Sequence, residues 1–131
     1  MNGLAKLYAQ VLGVVLTLVG ILGFIPALVS NNNLLGIFAI DPVHNIIHLA
    51  SGIVGLVAGF SGAGQYARLY AGIFGAVYGL VTVIGFIQGT TVLGLISVNT
   101  ADNILHTAIA AASLGVYFAS PSRTVGGAAR A

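Results

Sequence analysis

The sequence contains no cysteine. This absence excludes disulfides, iron–sulfur clusters, thiolate zinc sites and catalysis by a cysteine nucleophile. Charge is nearly absent as well, since Lys, Arg, Asp and Glu make up only 5% of the 131 residues. A water-soluble domain needs a more polar surface than this, whereas bilayer lipid tolerates the composition. The sequence therefore predicts an integral membrane protein.

Long apolar stretches recur along the chain at residues 7–29, 42–60, 69–87 and 101–119, and Asp102 is the one charged residue within them. Each is close to the roughly 20 apolar residues that a helix needs to cross the hydrocarbon core. Unpaired backbone groups are not tolerated in lipid, and the stretches lack the alternation of barrel strands. The first stretch is also much longer than the ~7–15 residues of a signal peptide's apolar region. We predict an all-α membrane protein with four transmembrane helices.

The few basic residues predict the orientation of these helices. They lie before the first helix, before the third and after the fourth: Lys6, Arg68, Arg123 and Arg130. All of them then fall on one side of the bilayer, and the positive-inside rule places both termini in the cytoplasm of a bacterial cell. Residues 120–131 are expected to form a flexible cytoplasmic tail. So few basic residues cannot make the patch that nucleic acid binding needs.

The two halves of the chain resemble each other. AKLYAQVLGVVLTLVGILGFI (5–25) aligns without a gap with ARLYAGIFGAVYGLVTVIGFI (67–87). Likewise, LLGIFAIDPVHNIIHLA (34–50) aligns with VLGLISVNTADNILHTA (92–108). Similar Leu, Val and Gly content would not also align an Asn and a His in both copies. The alignment therefore indicates an internal duplication.

The duplication predicts a single domain, 1–131, made of two helical hairpins at about 4–60 and 66–119. Each unit crosses the membrane twice, so the copies share one orientation and a pseudo-twofold axis along the membrane normal. His48 and His106 then lie at equal depth. Each follows its presumed helix cap by seven residues, which is about 10 Å of helix at 1.5 Å per residue.

Both histidine segments begin with helix-capping residues. Asp41 followed by Pro42 is typical of an N-cap with proline at the first helical position. Asn99 followed three residues later by Asp102 resembles a capping box. We therefore predict that Asp41 and Asn99 cap the second and fourth helices.

Each segment also places a polar strip on one helix face, because residues three and four apart are neighbours. The strips are His44, Asn45 and His48 on the second helix, and Asp102, Asn103 and His106 on the fourth. Polar groups inside a membrane usually face the bundle interior. If the two helices face each other, the strips meet near the outer surface.

Three interpretations of the strips are open. The first is a structural clasp, in which hydrogen bonds join the helices through Asn45, His48, Asn103 and His106. The second is a site for zinc or another divalent metal, with the ligands His44, His48, Asp102 and His106. The third is a haem b group between the helices, with His48 and His106 as axial ligands.

The simplest interpretation of the sequence is a protein without enzymatic activity. No base and orienting group accompany the serines as a catalytic triad requires. We expect an accessory or scaffold protein in the bilayer, which forms a homo-oligomer or joins a larger membrane complex through close-packing pairs such as Gly55-x-x-x-Gly59. Metal or haem binding is the alternative, and an oligomeric channel or transporter is a further one.

The segments ARLYAGIFG, DPVHNIIHLASGIVGL and NTADNILHTAIA resemble those of a bacterial four-helix membrane family that is classed as a domain of unknown function. The resemblance covers about residues 4–119 and is most specific at the N-x-x-H segments. It implies four membrane helices without an agreed activity. Asp102 occupies the position that matches His44, so a symmetric site of four histidines is impossible here.

Overall fold

Four helices dominate the computed structural model, which describes residues 2–120. They are α1 (Asn2–Leu22), α2 (Pro42–Phe60), α3 (Ala67–Gln88) and α4 (Thr100–Ala119). The mostly helical fold is thus confirmed. The predicted tail beyond residue 120, with Arg123 and Arg130, lies outside the described residues.

Three of the helices, α1, α2 and α3, are long and apolar enough to cross a membrane. Their outward faces carry large exposed apolar side chains such as Leu7, Val57 and Leu80. α4 has 20 residues but is not among these candidates, because it begins with polar residues and continues with many alanines. The composition of the three helices suits a membrane protein.

The predicted first stretch, 7–29, is longer than the helix it forms. α1 ends at Leu22, and a 3-10 turn follows at Pro26–Leu28. Gly23 is a poor helix former, and Pro26 lacks the N–H that would continue the helical bonding. The last residue of the stretch, Val29, begins a small sheet.

The fold is not purely helical, which corrects the all-α prediction. β1 (Val29–Ser30), β2 (Asn33–Leu34) and β3 (Phe38–Ala39) form one antiparallel sheet, and β4 (Thr91–Val92) and β5 (Ile96–Ser97) form another. The tight turn of each sheet uses a Leu-Gly pair in the left-handed region, with φ of 55° and 71° at Leu35 and Gly36 and 55° and 68° at Leu93 and Gly94. We call the segments 33–39 and 91–97 hairpin 1 and hairpin 2.

Close helix contacts join α1 to α2 through glycines. A Cβ added to Gly13 would lie 2.6 Å from the backbone nitrogen of Leu56, and one added to Gly59 would lie 2.7 Å from that of Gln10. The close packing predicted for Gly55 and Gly59 occurs within the chain, because a Cβ at either position would collide with a neighbouring helix of the same chain. The backbones of α1 and α2 therefore approach without intervening side chains.

Two tyrosines bridge the halves of the chain. The Tyr70 hydroxyl on α3 donates to the Ser51 carbonyl on α2 at 2.9 Å. The Tyr8 hydroxyl on α1 contacts α4, where it bonds to the Ser113 hydroxyl and lies 3.4 Å from the Ile109 carbonyl. The first bond joins α3 to α2 and the second joins α1 to α4, so each links a helix of one half to a helix of the other.

The two ends of the bundle differ in chemistry. At one end, the Lys6 side chain lies beside Gly64, and the Arg68 guanidinium stacks 3.9 Å above the Tyr117 ring. At the other end lie both hairpins and both acidic residues, Asp41 and Asp102. The histidines are at this acidic end.

Candidate metal centre

Three histidines from two helices form one cluster. The ring centroids of His44 and His48 are 4.5 Å apart, and that of His106 lies 5.5 Å from the first and 5.8 Å from the second. One ring nitrogen of each residue lies within 4.8 Å of the others. Their exposed fractions are 1%, 3% and 1%, so the protein itself covers the cluster.

Local sequence explains how the helices present these rings. Asp41 caps α2 by accepting from the His44 backbone N–H at 2.7 Å, and Pro42 occupies the first turn. This start places His44 and His48 one turn apart on one face. On α4 the start is Asn99, which accepts from the Asp102 N–H at 2.9 Å. The helix caps predicted at Asp41 and Asn99 are therefore confirmed.

Most of the imidazole nitrogens have no hydrogen-bond partner. Within the described residues, the buried unpaired atoms include His44 Nε2 and both ring nitrogens of His48 and His106. A buried polar atom without a partner costs about 1–3 kcal/mol, and polar groups in membrane interiors are rare unless they have a function. Each neutral imidazole has one nitrogen with a free lone pair. Three such nitrogens at one place are suitable ligands for a metal ion.

Within the cluster, a hydrogen bond fixes the orientation of the His44 ring. Its Nδ1 lies 2.9 Å from the Ser97 carbonyl in hairpin 2. A carbonyl can only accept, so Nδ1 carries the proton and Nε2 keeps its lone pair. A backbone carbonyl behind a histidine is the usual way in which proteins set the tautomer of a metal ligand.

Asp41 holds this carbonyl in place. Its second carboxylate oxygen accepts from the Ser97 N–H at 2.5 Å, while the first caps α2. Burial raises the Asp41 pKa, but the hydrogen bonds from His44 and Ser97 outweigh it and leave the pKa below its ordinary value. The carboxylate is therefore charged at neutral pH, and it joins the start of α2 to hairpin 2.

Asp102 stands apart from the histidine cluster, although the sequence suggested it as a ligand. Its carboxylate accepts from the Asn99 N–H at 3.0 Å, which completes a capping box. Among residues 2–120, the group whose ligand atoms lie close enough to share a metal ion consists of His44, His48 and His106. The structure thus brings together three of the four suggested ligands and gives the fourth a structural bond.

The hydrogen bonds of the suggested clasp are not among those that the described residues form. The Oδ1 atoms of Asn45 and Asn103 are buried without partners, as are the ring nitrogens of His48 and His106. Each asparagine packs instead against a glycine near the C-terminal end of the preceding helix, just after α1 or inside the last turn of α3. The side-chain amide of Asn45 fills the space beside Gly23, and that of Asn103 fills the space beside Gly85.

A haem between His48 and His106 has little support from this geometry. The His44 ring lies 4.5 and 5.5 Å from theirs, and the Tyr78 ring lies 6.5 and 5.6 Å from theirs. A porphyrin extends on all sides of its iron, and these two rings occupy that space. A single ion suits the cluster better than a macrocycle.

Sequence reasoning missed Ser97 and Tyr78. Ser97 acts through its backbone carbonyl and N–H, so the identity of its side chain does not indicate the role. Tyr78 did carry a signal, because the aligned position in the first half is Leu16. A tyrosine that replaces leucine near a polar strip marks a position where the two halves have diverged.

Comparison with known proteins identifies the family without supplying an activity. No curated protein and no solved structure matches the chain. A family model described as a domain of unknown function, DUF4383, matches residues 6–119. This range contains all four helices except the first residues of α1, and it includes every residue of the histidine cluster. The chain therefore belongs to the DUF4383 family.

Proposed function

We propose that this membrane protein binds one transition-metal ion at His44, His48 and His106. The observation that carries the proposal is the set of buried imidazole nitrogens without partners, one from each residue within 4.8 Å of the others. Zinc fits best, because it accepts three histidines and completes its tetrahedron with an exogenous ligand. Copper also binds imidazole and is the second choice.

The charge of the surroundings supports a cation at this place. The ligands are neutral, so an ion would bring its full charge into the bundle. The Asp41 carboxylate, joined to His44 through Ser97, offers negative charge in the next layer. Such outer partners both orient the ligand and raise its basicity.

Elemental analysis tests the proposal. The protein would be purified in mild detergent without a histidine tag, equilibrated with zinc and freed of unbound ion. We expect about one zinc per chain, as a mononuclear three-histidine site requires. A protein that keeps no zinc or copper under these conditions would refute metal binding.

Replacing Asp41 with asparagine is expected to weaken zinc binding by about 10- to 100-fold, the usual effect of losing an outer-shell partner. Asparagine caps a helix as well as aspartate does, so α2 should keep its start. Asparagine has a single accepting oxygen, so when it keeps the cap its NH2 group faces the Ser97 N–H and that bond is lost. The Ser97 carbonyl is then free to leave His44. Chelator competition measures the affinity, and circular dichroism checks that helix content is unchanged. Unaltered affinity would show that Asp41 is only a cap.

Asp41 also links stability to pH. Because its pKa is lowered on folding, its contribution is complete above the ordinary carboxyl pKa and is lost as the pH falls through the folded value. The metal-free Asp41→Asn protein should therefore lose less folding stability than the metal-free wild type as the pH falls through this acid range, which thermal unfolding at several pH values measures.

We further propose that all four helices cross the bilayer as a parallel repeat with both termini in the cytoplasm. Lys6 and Arg68 support this orientation, since they share the end of the bundle opposite the acidic residues. The repeat is supported by the matching turns of the hairpins and by the equivalent Asn–Gly contacts in the two halves. α4 is less apolar than the others because it begins with polar residues and continues with many alanines.

Single cysteines test the topology, since the natural chain has none. Ser30 and Ser61 are both exposed and lie at opposite ends of α2, and serine to cysteine changes one atom. In intact cells, a membrane-impermeant maleimide should label Ser30→Cys, whereas Ser61→Cys should react only after permeabilisation. The reverse pattern would invert the orientation, and equal labelling of both would exclude the spanning arrangement.

We propose a binding or scaffolding role without catalysis. The burial of all three histidines leaves no room for a large substrate, which favours a structural or ion-holding site over an enzyme or an open channel. Ala108, Ala112 and Gly115 form an exposed stripe of small residues on α4. Such stripes let a second helix approach closely, which supports association with another copy or a larger complex.

A further inference from the structure

Tyr78 is a further polar residue beside the histidine cluster. It lies on α3 with an exposed fraction of 3%. Its ring is nearly parallel to that of His48, at 16° and 6.5 Å between centroids, and lies 5.6 Å from that of His106. Its hydroxyl is buried and makes no hydrogen bond of good geometry, with the Ser51 side chain on α2 as a polar neighbour.

The other bridging tyrosines show what a structural hydroxyl does in this bundle. Tyr70 and Tyr8 both reach a partner on a neighbouring helix. Tyr78 has no such bond, yet it replaces the leucine found at the aligned position of the first half. A phenol in place of leucine carries a desolvation cost. The cost is offset once an acceptor occupies the space next to the histidines.

We infer that the metal's fourth position holds an exchangeable water or a small monovalent anion, to which Tyr78 donates a hydrogen bond. The inference rests on the proposed metal centre. Three imidazoles leave a tetrahedral ion one ligand short. They also leave its charge unbalanced, which an anion would partly correct in a medium of low dielectric. The Tyr78 ring lies beside the rings of His48 and His106, and its phenol can donate a hydrogen bond.

Cobalt substitution allows this ligand to be observed. Tetrahedral Co²⁺ takes the place of zinc and absorbs visible light, and its spectrum changes when the fourth ligand is exchanged. Sodium azide would be titrated into the cobalt protein, its Tyr78→Phe variant and its Tyr70→Phe variant. Tyr70→Phe is the matched control, because it removes a buried hydroxyl from the same helix away from the cluster.

We expect azide to change the wild-type spectrum. Tyr78→Phe should keep one cobalt per chain but bind azide about tenfold more weakly or worse, as the loss of a hydrogen bond to a charged group predicts. Tyr70→Phe should match wild type in azide affinity. Tyr78→Phe removes a hydroxyl that makes no hydrogen bond of good geometry, so this variant is expected to fold.

Each of the other possible results would contradict one part of the proposal. No cobalt in the wild-type protein would refute the metal centre itself. Cobalt binding with no response to azide would show that the fourth position is closed by the protein. Equal azide affinities in the wild-type and Tyr78→Phe proteins would remove Tyr78 from the site while leaving the three-histidine centre intact.

Discussion

Replacing His48 with leucine is expected to abolish metal binding while leaving the metal-free protein at least as stable as wild type. The loss of affinity should exceed about 100-fold, since even outer-shell partners contribute 10- to 100-fold. Stability should not fall, because both ring nitrogens of His48 are buried without partners. An apolar side chain of similar size removes that cost and keeps the packing.

The same experiment separates a metal centre from a clasp. If His48 joined the helices by hydrogen bonds, His48→Leu would lower the free energy of unfolding of the metal-free protein by about 1 kcal/mol for each bond lost. His106→Leu should behave as His48→Leu does, since its nitrogens are unpaired as well. Zinc competition and thermal unfolding in detergent, measured on the same samples, give both quantities.

Asp102→Asn is the control that distinguishes the two ligand sets. The carboxylate of Asp102 bonds to the Asn99 N–H and lies outside the histidine group. Asparagine retains an oxygen that can accept this bond. The variant should bind zinc as wild type does, with only a small loss of stability. A loss of zinc as large as that of His48→Leu would restore Asp102 to the site.

Much of this arrangement could be predicted from the sequence, because it depends on local rules. Lipid forces long apolar stretches into helices, and Asp41 and Asn99 start their helices by capping chemistry that is visible within four residues. Once the starts are fixed, helical spacing brings His44 and His48 onto one face. Their convergence with His106 was expected from the duplication, and the ring distances confirm it.

The remainder depends on contacts between distant segments. The bond from His44 to Ser97 joins residues 53 apart, and it uses a backbone carbonyl that any residue type could supply. Asp102 was a plausible ligand by spacing, but its cap bond turns it away from the histidines. The sequence did not predict the hairpins, because strands of two residues are too short to show the alternation of apolar and polar residues that identifies a strand.

Replacing Gly20 with alanine is expected to destabilise the protein by about 2–3 kcal/mol, towards the upper end of the usual cost of overpacking. A Cβ at this position would lie 2.7 Å from the backbone nitrogen of Leu49 and 2.9 Å from the carbonyl oxygen of Asn45. These atoms belong to the α2 backbone and cannot rotate away as a side chain would. The helices must separate instead. Gly13→Ala should act in the same way, since its Cβ would meet the backbone of Leu56.

Gly115→Ala is the matched control, because a Cβ added there meets no atom within 4 Å. Alanine should be neutral or stabilise α4 by up to about 1 kcal/mol through its helix propensity. The decisive comparison is between stability and zinc affinity in the three proteins. α2 carries His44 and His48, so moving it away from α1 also moves two ligands relative to His106. Gly20→Ala should therefore weaken zinc binding as well as folding, although Gly20 is not itself a ligand. Destabilisation with unchanged affinity would mean that the histidines keep their positions without the close α1–α2 contact.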